Sequence, residues 1–404
     1  MTLDAGTQRG LERNLVLVDL YFAAQNALFW LPVFVLWFSG SLSASGVLLL
    51  ESVYYTSVVV LEVPSGWMSD RLGRRATLVM SGLGWAGGAA VIGMSSGFAG
   101  FAVGQVLLAA GRAFASGTDS SLLYESLDAL GRPLEMRARH GRAAAWGFGT
   151  FAVASLAGGA LGWVDLRLPY VASVLGGLVA AGTALAFTEP PATGAELTPR
   201  EQLGVVRQAS ADPVLRKILV LAVLVVTFLH IPYELQQPWL EAGLGESRAA
   251  VASGAFVAVA FGLAAFASRM AAPLAQWLDP EETGLGYTRG SALAMGGLAA
   301  VMGAMAVGPY AWIAPVLAFR SVPSGLLGPL TDAEVHPRLP SSIRATWLSL
   351  QSLAGRLLFA AVLVVLAWGV GEDWSFEALR RVLVPSAGAA VVGALLALWM
   401  GRLR

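Results

Sequence analysis

Residues 66–78 read GWMSDRLGRRATL. This charged run joins two long apolar stretches, which we place at 45–68 and 76–95. Asp70, Arg71, Arg74 and Arg75 concentrate charge at the junction, and Gly66 and Gly73 free the backbone to turn. Each flanking stretch is near the roughly 20 apolar residues that cross a bilayer core. The segment therefore reads as a short hydrated reversal between two membrane helices.

Composition carries that reading to the whole chain. Of 404 residues, 56% are hydrophobic and only 13% charged, against about 25% charged in soluble domains. Lipid replaces water over most of such a surface. Lipid-facing backbone must bond within its own segment, so the fold class is all-α, and the long non-alternating apolar runs exclude a β-barrel. Further spans fall at 14–38, 99–126, 141–162, 168–187, 214–239, 248–276, 286–308, 311–333, 342–370 and 378–401, twelve in all. The polar, Pro- and Glu-rich interval 188–212 divides two bundles of six helices, 1–187 and 213–404; an amphipathic piece at Leu203–Val206 suits the membrane surface. Zero net charge gives no reason to expect a nucleic-acid partner, and the absence of Cys removes disulfides and thiolate metal sites. Residues 1–14 are polar and the first apolar run is too long for a cleaved signal.

Arginine sets the orientation. Loops carrying Arg71, Arg74 and Arg75, then Arg132, Arg137, Arg139 and Arg142, then Arg207, Arg216 and Lys217, then Arg338 and Arg344, go to the cytoplasm; the loops at 39–45, 95–100 and 308–310 carry no basic residue. The acidic loop with Asp279, Glu281 and Glu282, and the outer Arg380 and Arg381, run against the trend. The balance places both termini in the cytoplasm and the chain in the cell (inner) membrane. The halves also echo each other. Arg112, Ser116 and Gly117 recur as Arg320, Ser324 and Gly325, each 208 residues on, and Pro64 with Asp70 recurs as Pro273 with Asp279. Such offsets, near half the chain, indicate a duplicated unit.

With Gly66, Ser69, Asp70, Arg71, Gly73, Arg74, Arg75 and Leu78 in register, the opening segment resembles the signature loop of the major facilitator superfamily. The resemblance implies twelve transmembrane helices in two pseudo-symmetric bundles, spans 1, 4, 7 and 10 around a central cavity, and alternating access. It also implies that Gly66, Asp70, Arg71, Gly73, Arg74 and Arg75 form a conformational latch at the cytoplasmic ends of the halves. Asp70 is expected within reach of the first amides of span 11, at Pro340-Ser341-Ser342, or of Arg74. Span 4 resembles a second family motif, with Ser116 where the pattern usually has Gly. Span 5 keeps Gly158 and Gly159 of the antiporter pattern, but Ala154 and Ser155 replace its Gly-Pro.

Polar residues inside spans are the candidates for function. Arg112, Ser116 and Asp119 share a helical face by spacing; Arg112 reads as an anchor for an anionic solute, as a regulator of a proton-carrying acid, or as a structural partner of Asp119 or Glu62. Arg320 is its counterpart. Glu51 and Glu62 lie eleven residues apart on one face of span 2, with Tyr55 between. In span 7, HIPYELQQPW brings His230, Tyr233, Glu234, Gln236, Gln237 and Trp239 between and beside Pro232 and Pro238, either at a wet cavity or at headgroup depth. Span 1 supplies Tyr21, Gln25, Asn26, Phe29 and Trp30. We expect Tyr21, Gln25, Asn26, Arg112, Tyr233, Gln237 and Arg320 to line the substrate cavity, and Glu62, Glu234 and Asp119 to carry protons. Asp19 reads as interfacial, and His140 and His336 as loop residues.

The expected activity is secondary transport of a small organic solute by a monomer in lipid, with protons as the coupling partner and no metal or cofactor. Export of drug-like, amphipathic molecules leads; proton-linked uptake of a nutrient or metabolite is the alternative. A non-transporting receptor or a membrane enzyme would need a soluble domain or a nucleophile or metal set, and the sequence offers none. We therefore expect no enzyme.

Overall fold

The computed structural model describes residues 4–191, 212–280, 285–310, 312–335, 338–339 and 341–402. Expectations for Leu203–Val206, Arg207, Glu281, Glu282, His336 and Pro340 lie outside the described residues, as do those for the side chains of Ser341, Ser342 and Arg344.

The described elements are all helical. Ten helices are long and apolar enough to cross a membrane: Ala44–Glu62, Arg74–Met94, Phe98–Ala129, Pro133–Val164, Leu168–Leu185, Pro213–Leu244, Glu246–Ala271, Gly286–Val307, Ser349–Val370 and Phe376–Arg402. Spans 1 and 10 complete the twelve, and both are interrupted. Span 1 is a helix at Ala5–Gln25, an irregular stretch, a 3-10 turn at Leu31–Val33 and a short helix at Phe34–Ser39, where an unbroken helix over 14–38 was expected. Span 10 is Ala314–Ala318, a 3-10 turn at Phe319–Ser321 and Val322–Val335. Span 4, read as continuous, is a helix at Phe98–Ala115 (4a) and another at Thr118–Ala129 (4b). Gly117 takes the left-handed conformation, φ 76, and Ser116 leaves helical geometry. Asp119 therefore starts a new helix and does not share a continuous face with Arg112.

The turn after span 2 is tighter than its two glycines suggested. Helix Ala44–Leu72 runs through Pro64 and Gly66, and Gly73 alone, at φ 90, separates it from span 3 at Arg74–Met94. A residue with a Cβ is strained there.

The chain divides into two compact units: Met1–Leu42, Leu50–Ala195 and Ala250–Ala258 in one, Ser43–Leu49, Glu196–Ala249 and Val259–Arg404 in the other. In the first unit, span 3 is held between spans 4a and 6 by backbone approach. A Cβ on Gly82 would lie 2.4 Å from Ala181 N, on Gly84 2.7 Å from Gly111 N, and on Gly177 2.5 Å from Ala86 N. Without a hydrophobic drive between helices in lipid, such close packing supplies the attraction. A buried cluster including Leu15, Val18, Tyr21, Leu78, Leu122 and Phe187 fills the end where spans 1, 3, 4b and 6 meet. Gly159 in span 5 and Gly254 in span 8 meet at backbone distance; a Cβ on Gly159 would lie 2.6 Å from Ala250 O.

In the second unit, Gly393 of span 12 accommodates Met295 and Phe228, and Gly325 lies against span 8, where its Cβ would fall 2.0 Å from Ala264 O. The matched glycines of the repeat thus do different things: Gly117 breaks a helix, and Gly325 packs one. The first residues of span 2 belong here too, since Ala44 N–H donates to Glu372 O at 3.1 Å and Ser45 N–H to Gly371 O at 2.9 Å.

The irregular part of span 1 depends on span 5. A Cβ at Gly158 would sit 2.0 Å from the carbonyl oxygen of Phe29, a backbone atom that cannot swing aside. Gly158→Leu is expected to destabilise the protein by about 3 kcal/mol, at the upper end of overpacking costs. Thermal denaturation in detergent checks this against Gly182→Leu, whose Cβ enters open space. Equal melting of the two variants would remove the steric account.

Candidate functional site

The signature loop is built around Arg74. Its Nη1 donates to Asp70 Oδ1 at 2.6 Å and to Ser69 Oγ at 2.8 Å, while Nε and Nη2 both reach Glu125 Oε1 at 3.1 and 3.0 Å. Arg74 and Glu125 are each 13% exposed and Asp70 45%, so the Glu125 contact is the more shielded half of the bridge. One guanidinium thus ties the end of span 2, the start of span 3 and span 4b. Arg71 stacks on Trp67 at 4.5 Å and, like Arg75, lies at the surface. A Cβ at Gly66 meets nothing, so close packing does not explain that glycine.

Glu189, just after span 6, accepts from the backbone N–H groups of Arg74 and Arg75 at 2.6 and 2.9 Å. It satisfies two of the orphan donors at the start of span 3. Asp279 does the same for span 9, accepting from Leu285 N and Gly286 N at 2.8 and 3.2 Å. The second-half loop thus has its acid on a helix N-terminus, where the helix dipole favours it; Asp70 is held by an arginine.

The acids of span 2 do share a face. Gln105 Nε2 donates to Glu51 Oε1 at 2.6 Å and Ser116 Oγ to Glu62 Oε1 at 3.0 Å, so two contacts eleven residues apart join spans 2 and 4. At the break in span 4, Gln25 Nε2 donates to Asp119 Oδ2 at 3.3 Å, which unites two expected site residues from spans 1 and 4b. Arg112, exposed, makes no ion pair with Glu62 or Asp119 among the described residues. Tyr21 lies in the core, its ring 5.8 Å from Phe187 and its hydroxyl 3.4 Å from Leu78 O. Asn26 ends the first helix, its amide donating to Phe22 O at 2.8 Å. Asp19 pairs with Arg142 at 2.6 Å, and His140 meets Phe22 edge-on.

In the second unit, Arg320 sits on the 3-10 interruption of span 10 and is 3% exposed. Its Nε donates to Gln236 Oε1 at 3.0 Å, its Nη1 reaches Ser321 Oγ at 3.4 Å, and its plane lies 4.9 Å from the Tyr233 ring centre. Glu234, 1% exposed, acts electrostatically on this guanidinium, and Gln237 is also buried. The span 7 helix continues through Pro232 and Pro238 to Leu244, with Trp239 Nε1 donating to Met305 O at 2.9 Å. His230 packs on Tyr233 and Phe359, and Nδ1 lies 2.7 Å from Val226 O. A cavity of about 60 Å³ lined by Val214, Lys217, Tyr287, Thr288 and Glu334 holds none of the expected residues, and organic solutes need about 300 Å³ or more.

The sequence model of the Major Facilitator Superfamily matches residues 16–362. The chain belongs to this superfamily. As a member it is a multi-pass membrane protein and a secondary transporter. Its fold is similar to that of the nucleoside transporter NupG (TM-score 0.72, 13% identity, 98% of this chain and 100% of that one). It is also similar to a bacterial homolog of the human lysosomal transporter Spinster, solved inward-facing and unoccupied (0.71, 16%, 100% and 97%), and to a peptide transporter POT in complex with sulfate (0.72, 14%, 100% and 99%). A sequence search of curated proteins returned no match.

Three polar contacts escaped the sequence reading: Glu125, Glu189 and Gln105. Glu125 was discoverable as an acid within the fourth apolar segment, and Gln105 as an amide there. Glu189 reads as the beginning of the linker, and only folding brings it to span 3.

Proposed function

We propose that this transporter moves a small organic solute by alternating access of its two halves, 1–187 and 213–404, and that protons drive it. The observation that carries the proposal is that spans 1 and 4 are broken beside polar side chains, Gln25 with Asn26 and Ser116, and that span 10 tightens to a 3-10 turn at Arg320 and Ser321. Irregular backbone at membrane depth persists where protein or a water-filled cavity satisfies it, and discontinuous helices mark solute sites in transporters. Glu62, Asp119 and Glu234 lie beside these interruptions or on the helix facing them, which supports them as the proton-carrying acids. Export of amphipathic molecules is the direction we propose and uptake is the rival; span 5 keeps Gly158-Gly159 but lacks the Gly-Pro of the antiporter pattern, which weakens antiport specifically. The arginine distribution supports an inner-membrane protein with cytoplasmic termini.

A solute panel in proteoliposomes, with and without an imposed pH gradient, tests this. At least one solute is expected to move against its own gradient only while the pH gradient stands, in the direction opposite to proton flow. Movement in the same direction as protons would replace export by uptake. Movement indifferent to the gradient would remove proton coupling.

A further inference from the structure

The Arg320 guanidinium is locked on two edges and one face. Nε is held by Gln236, Nη1 is beside Ser321, and Tyr233 covers the plane. Its Nη2 is buried and has no hydrogen-bond partner among the described residues. Leaving a buried donor of a charged group unsatisfied is costly, so buried polar groups are nearly always paired and an exception calls for a reason. Rigid placement with one edge left over is what recognition of a planar oxyanion requires, because a guanidinium presents its N–H groups in a fixed fork.

The setting supports a ligand. Arg320 interrupts span 10, and Tyr233 and His230, both half-buried, border the cluster. Its repeat partner Arg112 is exposed at the end of helix 4a, so the pair is asymmetric, and only Arg320 is held in a built pocket of side chains. The charged and titratable groups around it are Glu234, Tyr233 and His230 from span 7, and Arg356 from span 11 faces His230.

Resting on the transporter reading above, we propose that Arg320 anchors an anionic group, a carboxylate or similar oxyanion, on the transported solute. Nη2 donates to one oxygen of that group, and Gln236 and Tyr233 hold the guanidinium in the orientation that makes this possible. Glu234 competes for the same charge when ionised. Its protonation leaves Arg320 to the anion, so binding strengthens as pH falls through the titration of Glu234.

The test uses purified full-length protein in detergent. Thermal shift and tryptophan fluorescence titration are run with a panel of small aromatic and aliphatic carboxylic acids, each beside its neutral amide. At least one acid is expected to stabilise the wild type where its amide does not. Arg320→Gln is expected to weaken that acid at least ten-fold, and Arg320→Lys to restore part of the loss. Glu234→Gln is expected to flatten the pH dependence and keep binding, a readout that a purely structural Arg320 would not move. Two results overturn the proposal: no acid outperforming its amide on the wild type, or an acid that binds Arg320→Gln as well as the wild type. Proteoliposome transport of one of the neutral amides, or of a cationic solute outside the panel, would in either case leave the transporter reading standing.

Discussion

Arg74→Ala is expected to lower the initial transport rate at least ten-fold at equal protein and to lower the melting temperature. The larger part comes from Glu125, which is 13% exposed and would lose both guanidinium contacts. Breaking a buried ion pair costs about 3–5 kcal/mol; partial exposure here reduces the figure to about 2 kcal/mol. The Asp70 contact, to a half-exposed carboxylate, adds less than about 1 kcal/mol to stability. Its importance is positional, since without Arg74 the Asp70 carboxylate has no fixed direction at the end of span 2. Arg74→Lys keeps the charge but cannot fork between two carboxylates and a serine, and it should recover a minority of the activity. Glu125→Gln, which keeps shape and removes charge, should resemble Arg74→Lys. Wild-type rates in Arg74→Ala would sink the latch role of this loop.

That cluster also marks the limit of what the sequence discloses. The loop and the twelve spans are legible because bilayer thickness fixes helix length and the signature fixes the turn; most observed helix ends fall within a few residues of the expected ones. The interruptions are not legible. Gly117 in a left-handed conformation and the 3-10 turn at Phe319–Ser321 occur in FASGTDSS and FRSVPSG, whose Gly, Pro, Ser and Thr weaken a helix without fixing where it breaks, and tertiary packing decides that. Partners across spans are equally hidden. Asp119 was read as a neighbour of Arg112 along one helix, yet its hydrogen bond goes to Gln25, ninety-four residues away. Tyr21 is expected at the cavity because it accompanies the amides Gln25 and Asn26, a combination that suits an amphipathic solute; the core claims it through Phe187 and Leu78. Residue type names candidates, and the crossing of helices chooses among them.

The second large effect concerns coupling. Glu234→Gln or Glu62→Gln is expected to abolish gradient-driven movement of solute while leaving exchange down the solute's own gradient. Both acids sit on helices facing an interruption. Glu62 accepts from Ser116 at the break of span 4, and Glu234 is buried beside Arg320 at the break of span 10. A carboxylate in low dielectric is costly when charged and poorly paired, so its proton occupancy can differ between two conformations of the same helices. That difference in proton affinity is the only way a proton gradient can bias the conformational equilibrium. An amide keeps the shape and the hydrogen-bonding reach and removes the titration. Glu234 is the better placed of the two, because its ionisation sets the charge around Arg320 and with it the affinity for an acidic solute. The measurement is solute accumulation in proteoliposomes with and without a pH gradient, paired with counterflow at equal pH. Gradient dependence retained in both single variants would shift the role to Glu51, buried on Gln105, or to Asp119. Loss of counterflow together with accumulation would make the residue part of solute binding, and a drop confined to accumulation would identify the proton carrier.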